Sequence, residues 1–158
     1  MSSTVHTGIS PDHRKAVADQ LSKVLASTYT LYLETQNFHW NVKGPFFASL
    51  HLLFEQQYTE YTLAIDAIAE RIRALGFDAP ASYQEFAALS VIADPTGPKK
   101  AMEMVAQLKA DNEALIQLLR ATEELADEAD DEVTTDLING RLQAHEKNAW
   151  MLRTILEE

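Results

Sequence analysis

Apolar residues recur at three- and four-residue steps over most of the chain, while Gly and Pro gather at a few places between those stretches. This pattern predicts long helices separated by short breaks. Val17, Leu21, Val24, Thr28, Leu31 and Thr35 mark the first helix. It starts near Ser10-Pro11-Asp12, where Ser10 can cap, Pro11 suits the first helical position and Asp12 complements the positive helix end. It stops before Gly44-Pro45. The second helix runs from Pro45 to Leu75 on Leu50, Leu53, Phe54, Tyr61, Ile65, Ile68 and Ile72, with Gly76 as its C-terminal cap. Residues 77–97 are too apolar for a free linker and read as a packed connection with a short helix near Ser82–Ala88. A third helix follows from Pro98 to about Glu128, and a fourth from about Asp131 to Leu156. Asn139-Gly140 is a hairpin signal only between strands. Leu137, Ile138, Leu142, Trp150 and Met151 keep helical spacing, so Gly140 is placed in mid-helix. The prediction is an all-α four-helix bundle with one long crossover.

Composition narrows the class. A chain of 158 residues that is 46% hydrophobic can bury a core as a single domain, here residues 10–158 behind a flexible tail at 1–9. The absence of cysteine excludes thiol catalysis, zinc-thiolate sites and iron–sulfur clusters. With 24 acidic against 13 basic residues and a net charge of −11, a generally basic nucleic-acid binder is excluded. No stretch approaches a membrane span and no apolar export segment opens the chain, which predicts a soluble, cytoplasmic protein.

Bundles of this shape can hold two metals through Glu-x-x-His pairs, but no Glu here has a His three residues later. The second helix instead carries His51, Glu55, Asp66 and Glu70 in steps of 4, 11 and 4, which keeps all four on one stripe. They share a face without being neighbours. His51 and Glu70 are about 28 Å apart along the axis, against metal–ligand bonds of about 2 Å. Two antiparallel copies of the helix, related by a two-fold axis near residues 60–61, bring His51 and Glu55 of one chain beside Asp66 and Glu70 of the other. His39 can join the His51 end across the Val42–Phe46 connection. Imidazoles and carboxylates with open positions suit Fe(II) that must still meet an oxidant. Taken singly, each carboxylate also reads as a solvated helix position, and each histidine as a capping or core residue.

The run His39-Trp40-Asn41-Val42-Lys43-Gly44-Pro45, then Leu50-His51, Asp66, Ala69-Glu70-Arg71-Ile72, Leu75-Gly76 and the closing His145-Glu146-Lys147 with Trp150-Met151-Leu152-Arg153 resembles the Dps mini-ferritins, the DNA-binding proteins of starved cells. The resemblance implies a ferritin-like four-helix bundle with a short extra helix in the long connection, assembled as a hollow homododecamer with ferroxidase centres at dimer interfaces. It places ligands at His39 and His51 of one subunit and at Asp66 and Glu70 of its partner. A fifth family position, often Asp, is Glu55 here, which bears on the second iron. It also assigns Trp40 to electron transfer and radical quenching. Trp150 reads as a core aromatic, an alternative that stays open for Trp40. The implied reaction oxidises Fe(II), with hydrogen peroxide preferred over dioxygen, stores a ferric oxyhydroxide core, and so protects the cell from oxidative damage.

Acidic residues are densest between the third and fourth helices, where Asp127, Asp131, Glu132 and Asp136 lie. Such a run reads as a solvated turn; by the resemblance it lines three-fold pores for iron entry. Residues 1–13 contain no Lys or Arg, so direct DNA binding is expected to be weak or absent. DNA protection through divalent-cation bridges is the alternative function.

Overall fold

The computed structural model describes residues 4–94, 97 and 99–157. Five helices are present: α1 (Pro11–Asn41), α2 (Phe47–Ala74), α3 (Tyr83–Leu89), α4 (Ala101–Glu128) and α5 (Glu132–Leu156). No strand occurs among the described residues. The chain is thus the expected all-α bundle. Pro98, read as the start of the third long helix, lies outside the described residues.

Local chemistry explains each boundary. Ser10 accepts from the His13 backbone N–H at 3.2 Å, and Pro11 follows it as the first helical residue. The first helix ends at Asn41, where the chain turns extended at Val42 and then takes a left-handed φ of 108° at Gly44. That turn consumes Pro45 and Phe46, so α2 begins two residues later than its apolar pattern allowed. At its other end, Gly76 at φ 100° lets Phe77 N–H reach the Ile72 carbonyl (3.3 Å) and Gly76 N–H the Arg73 carbonyl (3.0 Å). Asp130, at φ 52°, closes α4 in the same way. Asp131 N–H bonds the Ala126 carbonyl at 2.9 Å and Asp130 N–H the Asp127 carbonyl at 3.0 Å, a cap that usually takes Gly.

α1 packs antiparallel along α2, α4 along α5, and α1 also meets α4 and α3. Because α2 and α4 run in the same direction, the connection between them must return over the length of the bundle, about 42 Å for a 28-residue helix. That distance accounts for the long crossover, and α3 anchors it. Phe86 of α3 stacks at 4.8 Å on Tyr29, and Val91 N–H donates to Ser27 Oγ at 3.0 Å.

The core runs from Val17, Leu21 and Leu25 through Leu31 and Phe38 on α1, meeting Phe54, Ile68 and Ile72 of α2, Leu108, Leu115 and Leu119 of α4, and Ile138 and Leu152 of α5. Thr28 and Thr35 sit in this stripe because each hydroxyl donates to the carbonyl four residues back, at 2.7 Å. Trp150 is not a core aromatic: it is 54% exposed, because Ala149 and Leu152 take the inward positions and residue 150 lies a quarter-turn away. Gly140 lies inside α5 with open space where a Cβ would stand. Residues 4–9 have no regular structure, and Val5 and Ile9 are half-buried, Ile9 against the core.

Candidate metal centre

The short turn after α1 brings His39, in its last turn, over His51, in the second turn of α2. The two imidazoles stack with ring centroids 3.8 Å apart and planes 12° from parallel. Each ring is anchored by the other residue's backbone: His39 Nδ1 donates to the His51 carbonyl and His51 Nδ1 donates to the His39 carbonyl, both at 2.7 Å. The His39 carbonyl lies among those at a helix C-terminus that lack an intrahelical partner. Since a carbonyl oxygen can only accept, both Nδ1 atoms carry the proton. In the neutral ring this leaves each Nε2 lone pair free, the arrangement that orients imidazole as a metal ligand. Phe47 stacks on His51 at 5.0 Å and Tyr58 meets His39 edge-on at 5.2 Å, fixing both rings from the sides.

Asp66 and Glu70 are exposed on α2 and form no intrachain ion pair among the described residues. Asp66 lies about 22 Å along the helix from His51, so one chain does not bring these halves together. No group of three His, Cys, Asp or Glu side chains gathers within the chain among the described residues. Glu55 is exposed one turn from His51. Trp40 is 64% exposed and is therefore no core aromatic of this chain. The outer face of α2 carries Leu52, next to His51, and Leu63, between Glu55 and Asp66, 57% and 76% exposed.

Asp127, Asp130, Glu132 and Asp136 line an exposed cleft of about 290 Å³ at the α4–α5 turn, together with Asp131, Thr135 and Asn139. Asp131 differs from its neighbours, because its side chain is turned into the protein. It is 2% exposed, caps α5 through Thr134 N–H (3.0 Å), accepts from the Thr134 hydroxyl (2.5 Å) and pairs with Arg71 of α2 at 2.7 Å. Burial opposes its ionisation, but these donors outweigh burial and hold the carboxyl below its usual range. The Asp131 oxygens are thus engaged within the chain, by Arg71 and Thr134, while its acidic neighbours stay exposed.

A second polar network lies within the bundle. Arg141 of α5 grips Glu60 of α2 with two bonds of 2.6 and 2.9 Å and donates to His145 Nε2 at 3.1 Å. His145 Nδ1 in turn donates to Asn112 Oδ1 at 2.9 Å, and Asn148 donates to Tyr61 Oη at 3.0 Å. Burial, reinforced by Arg141, pushes His145 well below the usual histidine range, so the ring is neutral. Burial likewise raises the Tyr61 phenol.

The architecture and the split histidine–carboxylate stripe can now be set beside known proteins. A ferritin-like domain family matches residues 18–158. The Bacillus anthracis protein called DNA protection during starvation protein 2 is 40% identical over 144 residues, covering 91% of this chain and 99% of its own. The solved Dps structure from Bacillus brevis superposes with a TM-score of 0.90 at 38% identity, over 92% of this chain and 98% of that one. This chain belongs to the Dps family of ferritin-like proteins.

Within the Dps family the resemblance extends to more distant members. The Vibrio cholerae O1 Dps structure, described as a member of a broad superfamily of ferritin-like diiron-carboxylate proteins, gives a TM-score of 0.92 at 30% identity, covering 99% of this chain and 98% of that one. Iron handling and DNA protection are thus the general setting of this Dps chain. Among the described residues no helix is long and apolar enough to cross a membrane.

Proposed function

We propose that this chain is a ferroxidase subunit that oxidises Fe(II), preferentially with hydrogen peroxide, at centres shared between two copies, and stores the ferric product in a hollow homododecamer. The observation that carries the reading is the reciprocal anchoring of His39 and His51, which commits both Nδ1 atoms to carbonyls and leaves both Nε2 atoms free to act as ligands. Antiparallel pairing of the α2 faces, with Leu52 and Leu63 as the apolar contact, carries Asp66 and Glu70 of the partner subunit to this histidine pair. The Vibrio structure's description as a member of a superfamily of ferritin-like diiron-carboxylate proteins supports iron held by carboxylates.

The substrate Fe(II) meets two neutral nitrogens and hard anionic oxygens, and the oxygens favour the higher charge of Fe(III). Hydrogen peroxide takes one electron from each of two Fe(II) ions and leaves as water, so both reagents of hydroxyl-radical chemistry are consumed. Glu55 is the ligand for a second iron, and exposed Trp40, next to His39, is suited to supply an electron to a strongly oxidising intermediate. Asp127, Glu132 and Asp136 form an exposed acidic surface that suits attraction of Fe(II) towards a three-fold pore.

DNA protection, the function in the name of the Bacillus anthracis relative, follows from removing iron and peroxide together. Lys43, Lys99 and Lys100, which line a cleft of about 640 Å³ with Asn37 and Asn41, offer direct contact a local foothold in an acidic chain. Cation-bridged DNA binding predicts a gel shift that appears only with magnesium. The main reading is tested by adding half an equivalent of hydrogen peroxide to protein preloaded anaerobically with Fe(II), and following ferric absorbance. Asp66→Ala and His51→Ala proteins should each oxidise slowly, and mixed assemblies should regain activity at interfaces pairing one intact half with another. Assembly of both variants without recovery on mixing overturns the shared centre.

A further inference from the structure

Three tyrosines lead away from the histidine pair, each ring in contact with the next. Tyr29, Tyr32 and His39 lie on α1 at steps of 3 and 7, which keeps them on one stripe of the helix. The stripe is open for two turns between Tyr32 and His39, and Tyr58 of α2 fills the gap. Its ring meets His39 edge-on with centroids 5.2 Å apart and Tyr32 edge-on at 5.9 Å, and Tyr32 meets Tyr29 at 5.8 Å. Aromatic rings at these separations touch. Beyond Tyr29 the succession ends on Phe86 of α3, 4.8 Å away, beside a cavity of about 460 Å³ lined by both residues and by Tyr83.

Packing explains the rings, because aromatic pairs of this geometry stabilise a helix contact with or without a hydroxyl. It does not explain why the three rings that connect to His39 are phenols while the ring that closes the series is a phenyl. A phenol gives up an electron readily, together with its hydroxyl proton, and a phenyl ring does not. The order therefore sets a start at Tyr58 and a stop at Tyr29. All three tyrosines are half-buried, so a radical on them is shielded in a way that one on Trp40, 64% exposed, is not. The Gln36 amide donates to Tyr32 Oη at 3.2 Å, a contact that leaves the Tyr32 hydroxyl proton uncommitted.

We propose that Tyr58, Tyr32 and Tyr29 form an electron relay, separate from Trp40, that lets a centre holding a single Fe(II) reduce hydrogen peroxide completely. The relay rests on the ferroxidase reading above and supplies the second electron. Peroxide requires two electrons and one Fe(II) gives one; with no second donor the products are Fe(III), hydroxide and a hydroxyl radical. Tyr58 instead gives the second electron with its phenol proton. Peroxide then leaves as one water and one hydroxide, the iron becomes Fe(III), and a tyrosyl radical remains. Tyr32 and then Tyr29 each pass an electron and a proton towards Tyr58, which moves the radical away from the iron. The next Fe(II) to arrive returns an electron along the same rings, water returns the proton, and the phenol is restored as a second Fe(III) forms.

The test loads assembled full-length protein anaerobically with one Fe(II) per proposed centre, adds one hydrogen peroxide per iron, and freezes samples during the first turnover for electron paramagnetic resonance, with ferric absorbance followed in parallel. The wild type should give an organic radical whose signal narrows in protein made with ring-deuterated tyrosine, and spin-trap adducts mapped by mass spectrometry should fall on Tyr58, Tyr32 and Tyr29. Tyr58→Phe keeps the ring against His39 and removes only the hydroxyl; it should lose the adducts at Tyr32 and Tyr29 and release hydroxyl radical to solution. Tyr29→Phe should keep the adducts at Tyr58 and Tyr32. The tyrosyl signal should persist in a Trp40→Phe background, because the relay starts at Tyr58. Fast ferric formation without a tyrosyl radical, or adducts at Tyr32 and Tyr29 that survive Tyr58→Phe, overturns the relay and leaves three packing aromatics. No fast ferric formation in the wild type overturns the shared centre, and the relay with it.

Discussion

Replacing Asp131 with Ala removes three attachments at once, and the structure allows their sum to be worked out. The first is the N-cap of α5, the bond from Thr134 N–H at 3.0 Å, worth about 1 kcal/mol. The second is the ion pair with Arg71 at 2.7 Å. Breaking a fully buried pair costs about 3–5 kcal/mol, but the Arg71 side chain retains 16% exposure and regains some water, so about 1–2 kcal/mol is the appropriate share. The Thr134 hydroxyl loses its acceptor but can turn elsewhere. The total is about 2–3 kcal/mol, or about 4–12 °C in melting temperature for a domain of this size. Asp131→Asn keeps an oxygen for the cap and should lose only about 1–2 kcal/mol. Because folding lowers the Asp131 carboxyl from 3.8, its contribution is fully present above that pH and is lost as pH falls through the lower folded value. The gap between wild type and Asp131→Ala should therefore close in strong acid. Melting at fixed protein concentration between pH 2 and pH 7, alongside iron uptake rates, checks each part. An Asp131→Ala protein that melts like wild type but takes up iron slowly refutes the argument and favours a role for Asp131 in iron entry.

Other outcomes follow from the same geometry. Leu63→Glu, alone or with Leu52→Glu, should prevent association while leaving helicity unchanged, since both leucines are exposed in the single chain; light scattering and circular dichroism together decide this, and unchanged assembly argues against α2 pairing. Gly76→Ala should destabilise by about 1–2 kcal/mol for its left-handed backbone alone. A further loss is expected because the added Cβ would sit 2.9 Å from Val5 Cγ2 and 3.1 Å from the Arg14 guanidinium; denaturant midpoints measure it. Burial and Arg141 hold His145 neutral well below 6.5, so below that pH the unfolded chain takes up a proton that the folded chain refuses. Stability should fall as pH drops from 6.5, and His145→Gln should flatten that fall between pH 6.5 and 5 in denaturant titrations.

How much of the centre was legible depended on the kind of information each residue carries. His51, Asp66 and Glu70 stood out because regular helical spacing converts sequence steps into a face and a distance. That arithmetic alone showed that one chain cannot unite them. Glu34, which faces Asp111 of α4 inside the bundle, had a comparable signal that went unread: it lies three residues after Leu31 and four before Phe38, on the same apolar stripe. Asp111 and Asn112 lie similarly between Leu108 and Leu115, but a lone acid in a helix is so often solvated that spacing could not separate the cases. Trp150 failed in the opposite direction, since an aromatic residue at helical spacing need not face the core.

By itself the sequence determined the helices, their order, the crossover and the histidine–carboxylate stripe, because these depend on local periodicity, on caps such as Ser10 and Gly76, and on where Gly and Pro interrupt the pattern. Only the tertiary structure decided that His39 and His51 anchor each other through backbone carbonyls, that Asp131 turns inward to Arg71, and that Glu34 of α1 faces Asp111 of α4 inside the bundle. Each of those outcomes joins residues from different helices. Such contacts depend on the register and rotation of one helix against another, which no spacing along a single helix contains.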